Sequence, residues 1–208
     1  LVSRRRSADG SSTPYELNAS YFSAVNCLPG LSEEMQIRRF LASQAIMLAL
    51  QGIPAVYFHS LLGTPNDLDG VRQTGRSRSI NRRRYGLSEV QSLLNDAKSA
   101  GQQIFGGYCQ LLRVRSSQPA FHPDAYQEVI PVAEPSVIAF VRTSLDDHQR
   151  ILVLANVANT PVSVQLPPPF ARAGVTELLG MGAAWQTPDS LQLSPAGVSW
   201  LATGIDPS

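Results

Sequence analysis

Lysine is nearly missing from this chain. Of its 17 basic residues only Lys98 is a lysine, and the formal net charge is +1. A nucleic-acid surface normally spreads lysine and arginine over one face, so this balance argues against nucleic acid as a partner. Cysteine is scarce as well: Cys27 and Cys109 stand alone, with no CxxC. A disulfide framework is therefore not expected, and a zinc site lacks ligands. Reduced thiols in a cytoplasmic protein follow, and no metal or cofactor is expected. Long apolar runs are absent too. The strongest, at 40–50, is too short to span a bilayer and contains Gln44, so no membrane association is expected. The opening residues Leu1-Val2-Ser3-Arg4-Arg5-Arg6 show no signal-peptide core, and no methionine starts them. The chain reads as beginning mid-sequence, in a loop.

The most informative stretch is 51–85, QGIPAVYFHSLLGTPNDLDGVRQTGRSRSINRRRY. Its apolar start, Ala55-Val56-Tyr57-Phe58, predicts a short strand ending at His59. A long loop rich in Gly, Asn, Asp and Arg follows. In parallel α/β proteins ligands bind beyond the carboxyl ends of strands, so this strand end is a candidate site wall. Asp67, Asp69 and the arginines of the loop suit hydroxyl-rich or phosphorylated ligands. The same residue types also build ordinary turns.

Around this stretch the chain alternates. Residues 1–14 predict a loop, and 15–25 a short strand or a helical turn. Ser32-Glu33-Glu34 marks a helix start, with Ser32 as N-cap and acids in the first turn. Ile37, Leu41, Ala45 and Leu48 form one helical face; Gly52 and Pro54 end it. Further helices are predicted at 87–99 and 102–117, the latter with a helical stripe of Ile104, Tyr108, Leu111, Leu112 and Arg115. From Glu128 the texture changes. EVIPVA, SVIAFVRT, RILVLANVA, PVSVQL, VTELL, LQL and VSWLA are short Val/Ile/Leu runs separated by turn residues, an antiparallel all-β signature. His148 falls in a turn there and is expected to be exposed. The expected division is 1–127, an incomplete α/β part, and 128–208, a β domain.

PYELNASYF (14–22), FLASQAIMLALQGIPAVYFHSLLG (40–63), NDLDGV (66–71) and TGRSRSINRRRY (74–85) resemble the C-terminal third of sucrose-phosphorylase-type enzymes. These are retaining glycosidases and transglycosidases of the α-amylase superfamily, glycoside hydrolase family 13. The resemblance implies the fold class α/β plus all-β: the C-terminal part of a (β/α)8 TIM barrel followed by a small antiparallel β-sandwich domain. It implies double displacement, with an Asp nucleophile and a Glu general acid, and partners that are a small carbohydrate and inorganic phosphate. The catalytic acids of such enzymes lie on barrel strands four, five and seven. None of the sixteen acids here matches those motifs, so no catalytic residue is expected in the chain, and alone it is expected to be inactive.

What the resemblance leaves is part of a binding pocket. Arg78 matches the arginine that holds the glucosyl unit at subsite −1; the alternative is an arginine pinning the loop. Tyr15 and Glu16 match the mobile loop that rearranges between acceptor and phosphate binding. Sucrose-specific members carry Gln where this chain has Glu16, which points away from sucrose. A carboxylate there suits a polyol acceptor and disfavours an anionic one unless another cation compensates. Asn66 and Asp67 either shape the acceptor side or form an Asx turn. His59 is either a site wall or a packed histidine, and Phe58 and Tyr85 are expected in the core. The leading expectation is a glycosyltransferase, an α-glucoside phosphorylase, of which this is the C-terminal piece. An α-glucosidase or transglucosidase of the same superfamily, and a non-catalytic carbohydrate-binding β module, are the rivals.

Overall fold

The computed structural model describes residues 1–171 and 174–204. The chain divides into two compact units. One joins Leu1–Phe40 to Val56–Gly106; the other joins Leu41–Ala55 to the chain from Gly107 onward. The expected boundary at 127/128 follows sequence texture, whereas two of the three unit boundaries fall inside helices, α2 (Glu33–Ala49) and α6 (Ala100–Ser116), and the third between Ala55 and Val56.

The first unit opens with a hairpin where a loop was expected. Strands β1 (Val2–Arg6) and β2 (Ser12–Leu17) pair antiparallel with a register shift at Ser3/Arg4. Both are largely exposed, so neither shows the apolar alternation that marks a half-buried strand. Turn chemistry holds them instead. Gly10 takes φ +83°, and Asp9 Oδ1 accepts from Ser11 N at 2.9 Å. The two readings of 15–25 are both realised: β2 is followed by helix α1 (Tyr21–Val25), capped by Ser20, whose hydroxyl accepts from Ser23 N.

Helix α2 starts as its sequence dictates, with Ser32 Oγ accepting from Met35 N at 3.2 Å. The strand expected at 55–58 does not form. Residues 53–57 carry no ladder, Tyr57 is extended at φ −88°, ψ 137°, and Phe58 already begins the short helix α3 (Phe58–Leu61). A strand exists only by pairing, and among the described residues no strand pairs with this segment. Phe58 is likewise not core; it is 51% exposed. The loop beyond is more ordered than its composition suggests. It holds helix α4 (Leu68–Thr74) and a 3₁₀ turn at Ser77–Asn81, before helix α5 (Leu87–Asn95).

Among the described residues the second unit carries seven antiparallel strands in one connected sheet: β3 (Tyr126–Val129), β4 (Val137–Thr143), β5 (Gln149–Asn156), β6 (Val162–Gln165), β7 (Thr176–Glu177), β8 (Met181–Thr187) and β9 (Ser190–Gly204). The antiparallel texture was legible; two details were not. LQL and VSWLA, read as separate runs, belong to the single strand β9. Its first half pairs with β6 and β8, its second with β5 and β7. The intervening Ser194-Pro195-Ala196-Gly197 bends the strand instead of ending it, with Ala196 at φ +52°. At Gly197 a Cβ would lie 2.8 Å from the Gly182 carbonyl oxygen, so only glycine fits. Strand β8, MGAAWQT, has too little apolar alternation to be found.

Val137, Ala139, Val141, Leu152, Leu154 and Leu201 bury one face of β4, β5 and β9. Phe140, Ile151, Val153, Val198 and Trp200, which alternate with them along the strands, are buried as well. Burial on both faces explains the near-continuous run RILVLAN. Trp200 meets Phe121 edge-on at 4.6 Å between ring centroids. Beside them lie two buried arginines. Arg115 donates to the Leu48 and Gly52 carbonyls, Arg142 to those of Ala49, His122 and Ala125. Leu48 and Ala49 end α2, so the guanidiniums satisfy carbonyls that a helix terminus leaves without partners. Burial, and secondarily the neighbouring charge of Arg115, lower the Arg142 pKa to about 10. His148 is exposed, as expected.

Candidate functional site

All six expected site residues lie in the first unit: Tyr15 and Glu16 on β2, His59 in α3, Asn66 and Asp67 just before α4, and Arg78 in the 3₁₀ turn. The strand β2 presents Glu16 toward the 3₁₀ turn that carries Arg78. Both Nε and NH2 of Arg78 lie 3.2 Å from Glu16 Oε2. Residues 62 positions apart, one from each of two sequence segments singled out above, thus form one ion pair. Glu16, with Tyr15 adding to it, raises the Arg78 pKa. The pair is solvent-exposed, so it orients the guanidinium more than it stabilises the fold.

Asp67 and Asn66 hold the loop. Asp67 caps α4, its Oδ1 accepting from Gly70 N at 2.8 Å, while its own N–H donates to the Ile80 carbonyl. These are the contacts of an Asx turn, and Asp67 also lines an arginine-rich groove. Asn66 ties the loop to α1: its Oδ1 accepts from Ser20 N at 2.7 Å and its N–H donates to Ser23 Oγ at 3.0 Å.

His59 lies against a cavity of about 270 Å³ that Leu17, Ser20, Tyr57, Thr64 and Asn81 also line. Its ring sits edge-on to Tyr57 and Phe58, and its Nδ1 is 3.2 Å from Thr64 Oγ1. Burial lowers its pKa. It is packed against these rings and also lines the cavity. Thr64 and Tyr85 were missed as site neighbours. The Tyr85 hydroxyl donates to Thr64 Oγ1 at 3.0 Å, a contact across 21 residues that no local pattern announces.

A second, larger groove of about 740 Å³ is lined by Arg76, Arg78, Arg82, Arg83, Arg84 and Asp69, among others. Arg72 pairs with Asp69, and Arg83 with Glu89. Arg76, Arg82 and Arg84 have no carboxylate partner among the described residues. Three uncompensated guanidiniums around one concavity make it attractive to carboxylate or phosphate oxygens. No group of three or more His, Cys, Asp or Glu among the described residues is placed to hold a metal.

Residues 127–200 match the maltogenic amylase C-terminal domain family. The chain belongs to the α-amylase superfamily, glycoside hydrolase family 13, and its relatives there are sucrose-phosphorylase-type enzymes. It is 40% identical over 159 residues to the glucosylglycerate phosphorylase of Spirochaeta thermophila, covering 76% of this chain and 27% of that protein. It is 30% identical over 201 residues to the glucosylglycerate phosphorylase of Escherichia coli, covering 97% and 34%. The crystal structure of sucrose 6F-phosphate phosphorylase from Thermoanaerobacter thermosaccharolyticum superposes with a TM-score of 0.57 at 26% identity, over 75% of this chain and 29% of that one. The chain thus spans about a quarter to a third of the length of these relatives.

Proposed function

We propose that this chain is the C-terminal part of a retaining α-glucoside phosphorylase, which moves a glucosyl group between an α-glucoside and inorganic phosphate. In this reading residues 1–127 complete a (β/α)8 barrel, 128–208 form the β domain, and the enzyme works in the cytoplasm. The observation that carries it is the Glu16–Arg78 pair: two segments that carry the family resemblance meet in one ion pair, and this supports a shared role in binding the glucosyl unit. Relatives named as phosphorylases support it.

The chemistry is double displacement. A carboxylate elsewhere in the enzyme attacks the anomeric carbon while a carboxylic acid protonates the leaving oxygen. Phosphate then takes the glucosyl group from the opposite face, and the α configuration is restored. The residues of this chain bind and orient. Arg78 donates its planar fork to sugar hydroxyls, with Glu16 fixing its direction. Tyr15, His59, Asn66 and Asp67 shape the surrounding loops.

The acceptor in this reading is an anionic three-carbon acid, glycerate. A free carboxylate at Glu16 would repel it, but Glu16 is paired with Arg78, and Arg76, Arg82 and Arg84 supply compensating charge. Relatives named for glucosylglycerate support the same class. The test is phosphate release from α-glucose 1-phosphate by the full-length parent with D-glycerate, glycerol or fructose as acceptor. Glycerate should give the fastest release, and the 208-residue chain alone should give none. A preference for fructose or glycerol removes the anionic acceptor; no release with any of them removes the phosphorylase.

A further inference from the structure

Thr64 is 2% exposed, and its hydroxyl touches two groups: it accepts from the Tyr85 hydroxyl at 3.0 Å and lies 3.2 Å from His59 Nδ1. A buried hydroxyl proton is rarely left without an acceptor. The Tyr85 oxygen already donates to Thr64, so the acceptor left for the Thr64 proton is Nδ1. A neutral imidazole that accepts at one nitrogen carries its proton on the other. Nε2 has no protein partner among the described residues, and the ring lines the 270 Å³ cavity. The backbone supports the arrangement, since Thr64 N also donates to the His59 carbonyl at 2.9 Å. Tyr57, Phe58 and Tyr85 rings surround the imidazole and limit its rotation.

We propose that Thr64 and Tyr85 are positioning residues that fix His59 as the Nε2–H tautomer, a neutral hydrogen-bond donor to an oxygen of the hydroxyl-rich ligand that fills this cavity. The donor chain runs Tyr85 to Thr64 to His59 to ligand, each hydroxyl proton pointing the same way. Burial keeps the imidazole neutral at pH 7, so the donor is present without a net charge. The ligand class rests on the phosphorylase reading; the tautomer does not.

The tautomer is read on this chain by ¹⁵N–¹H correlation of its three imidazoles, with His59 assigned by His59→Gln. Nδ1 of His59 should resonate as an unprotonated nitrogen and Nε2 as a protonated one. Thr64→Val, which keeps the shape and removes the hydroxyl, should mix the tautomers; Thr64→Ser should restore the wild-type pattern. A wild-type Nδ1–H signal, or a pattern unchanged in Thr64→Val, overturns the relay. In the full-length parent, Thr64→Val should raise the acceptor KM roughly five- to tenfold with kcat little changed, and Thr64→Ser should recover it. A KM indifferent to Thr64→Val, with the tautomer as expected, overturns the donor role alone. A parent without phosphorylase activity strikes the function above and leaves the tautomer standing.

Discussion

Replacing Arg142 with alanine is expected to cost the second unit about 3–5 kcal/mol, the range for leaving buried partners of a charged group uncompensated. The side chain is fully buried and donates to three carbonyls, those of Ala49, His122 and Ala125. Alanine leaves those carbonyls without partners and opens a cavity beside Phe121. Methionine, which restores volume without charge, should recover part of the loss, because it also removes the desolvation of a buried cation. Its pH dependence has a definite sign. The folded pKa is lowered to about 10, below the ordinary guanidinium range, so below pH 9 the guanidinium is charged in both folded and unfolded chains. Its contribution is then constant, and stability should rise only as pH passes upward through 10, where the folded chain releases its proton first. Urea unfolding followed by Trp200 emission measures both effects. An alanine variant as stable as wild type would show that the carbonyls find other partners.

Arg78→Ala in the full-length parent should lower kcat/KM at least tenfold. Losing a charged hydrogen bond to a bound sugar costs about 1.5–3 kcal/mol, roughly tenfold to over a hundredfold in rate. Arg78→Lys should recover little, because a point charge does not reproduce a planar fork. Arg72→Ala is the control. It lies in the same basic stretch, but its guanidinium is engaged with Asp69 and does not line the groove, so the rate should change less than twofold. Steady-state kinetics on the three variants decide the matter. Equal losses at Arg72 and Arg78 would mean that net charge, not the oriented fork, is what the loop supplies.

Much of this was legible in the residues, and the failures have physical causes. Helix α2 could be read because Ser32, Glu33 and Glu34 act locally on its first turn. Of the stripe read on α6, Ile104, Tyr108, Leu111 and Arg115 are buried and Leu112 is half-buried. Strand β5 announced itself as an apolar run. The hairpin β1–β2 could not be read, because strands exposed on both faces carry no period. The expected strand at 55–58 has the right residues, but pairing depends on a partner and not on propensity. Arg142 closes an apolar run and so looks like an ordinary outward-facing residue of a half-exposed strand; nothing local says that helix-end carbonyls await it. The ion pair Glu16–Arg78 was half visible. Each residue was singled out, but their meeting depends on the hairpin that the sequence concealed.

The central claim, a retaining phosphorylase, is tested most directly by the configuration of its product. The full-length parent should be given an α-glucosylglycerate and inorganic phosphate, and the sugar product followed by ¹H NMR at its anomeric signal. Two displacements at one carbon predict α-glucose 1-phosphate from the first turnover. β-Glucose 1-phosphate, or free glucose as the main product, would contradict it.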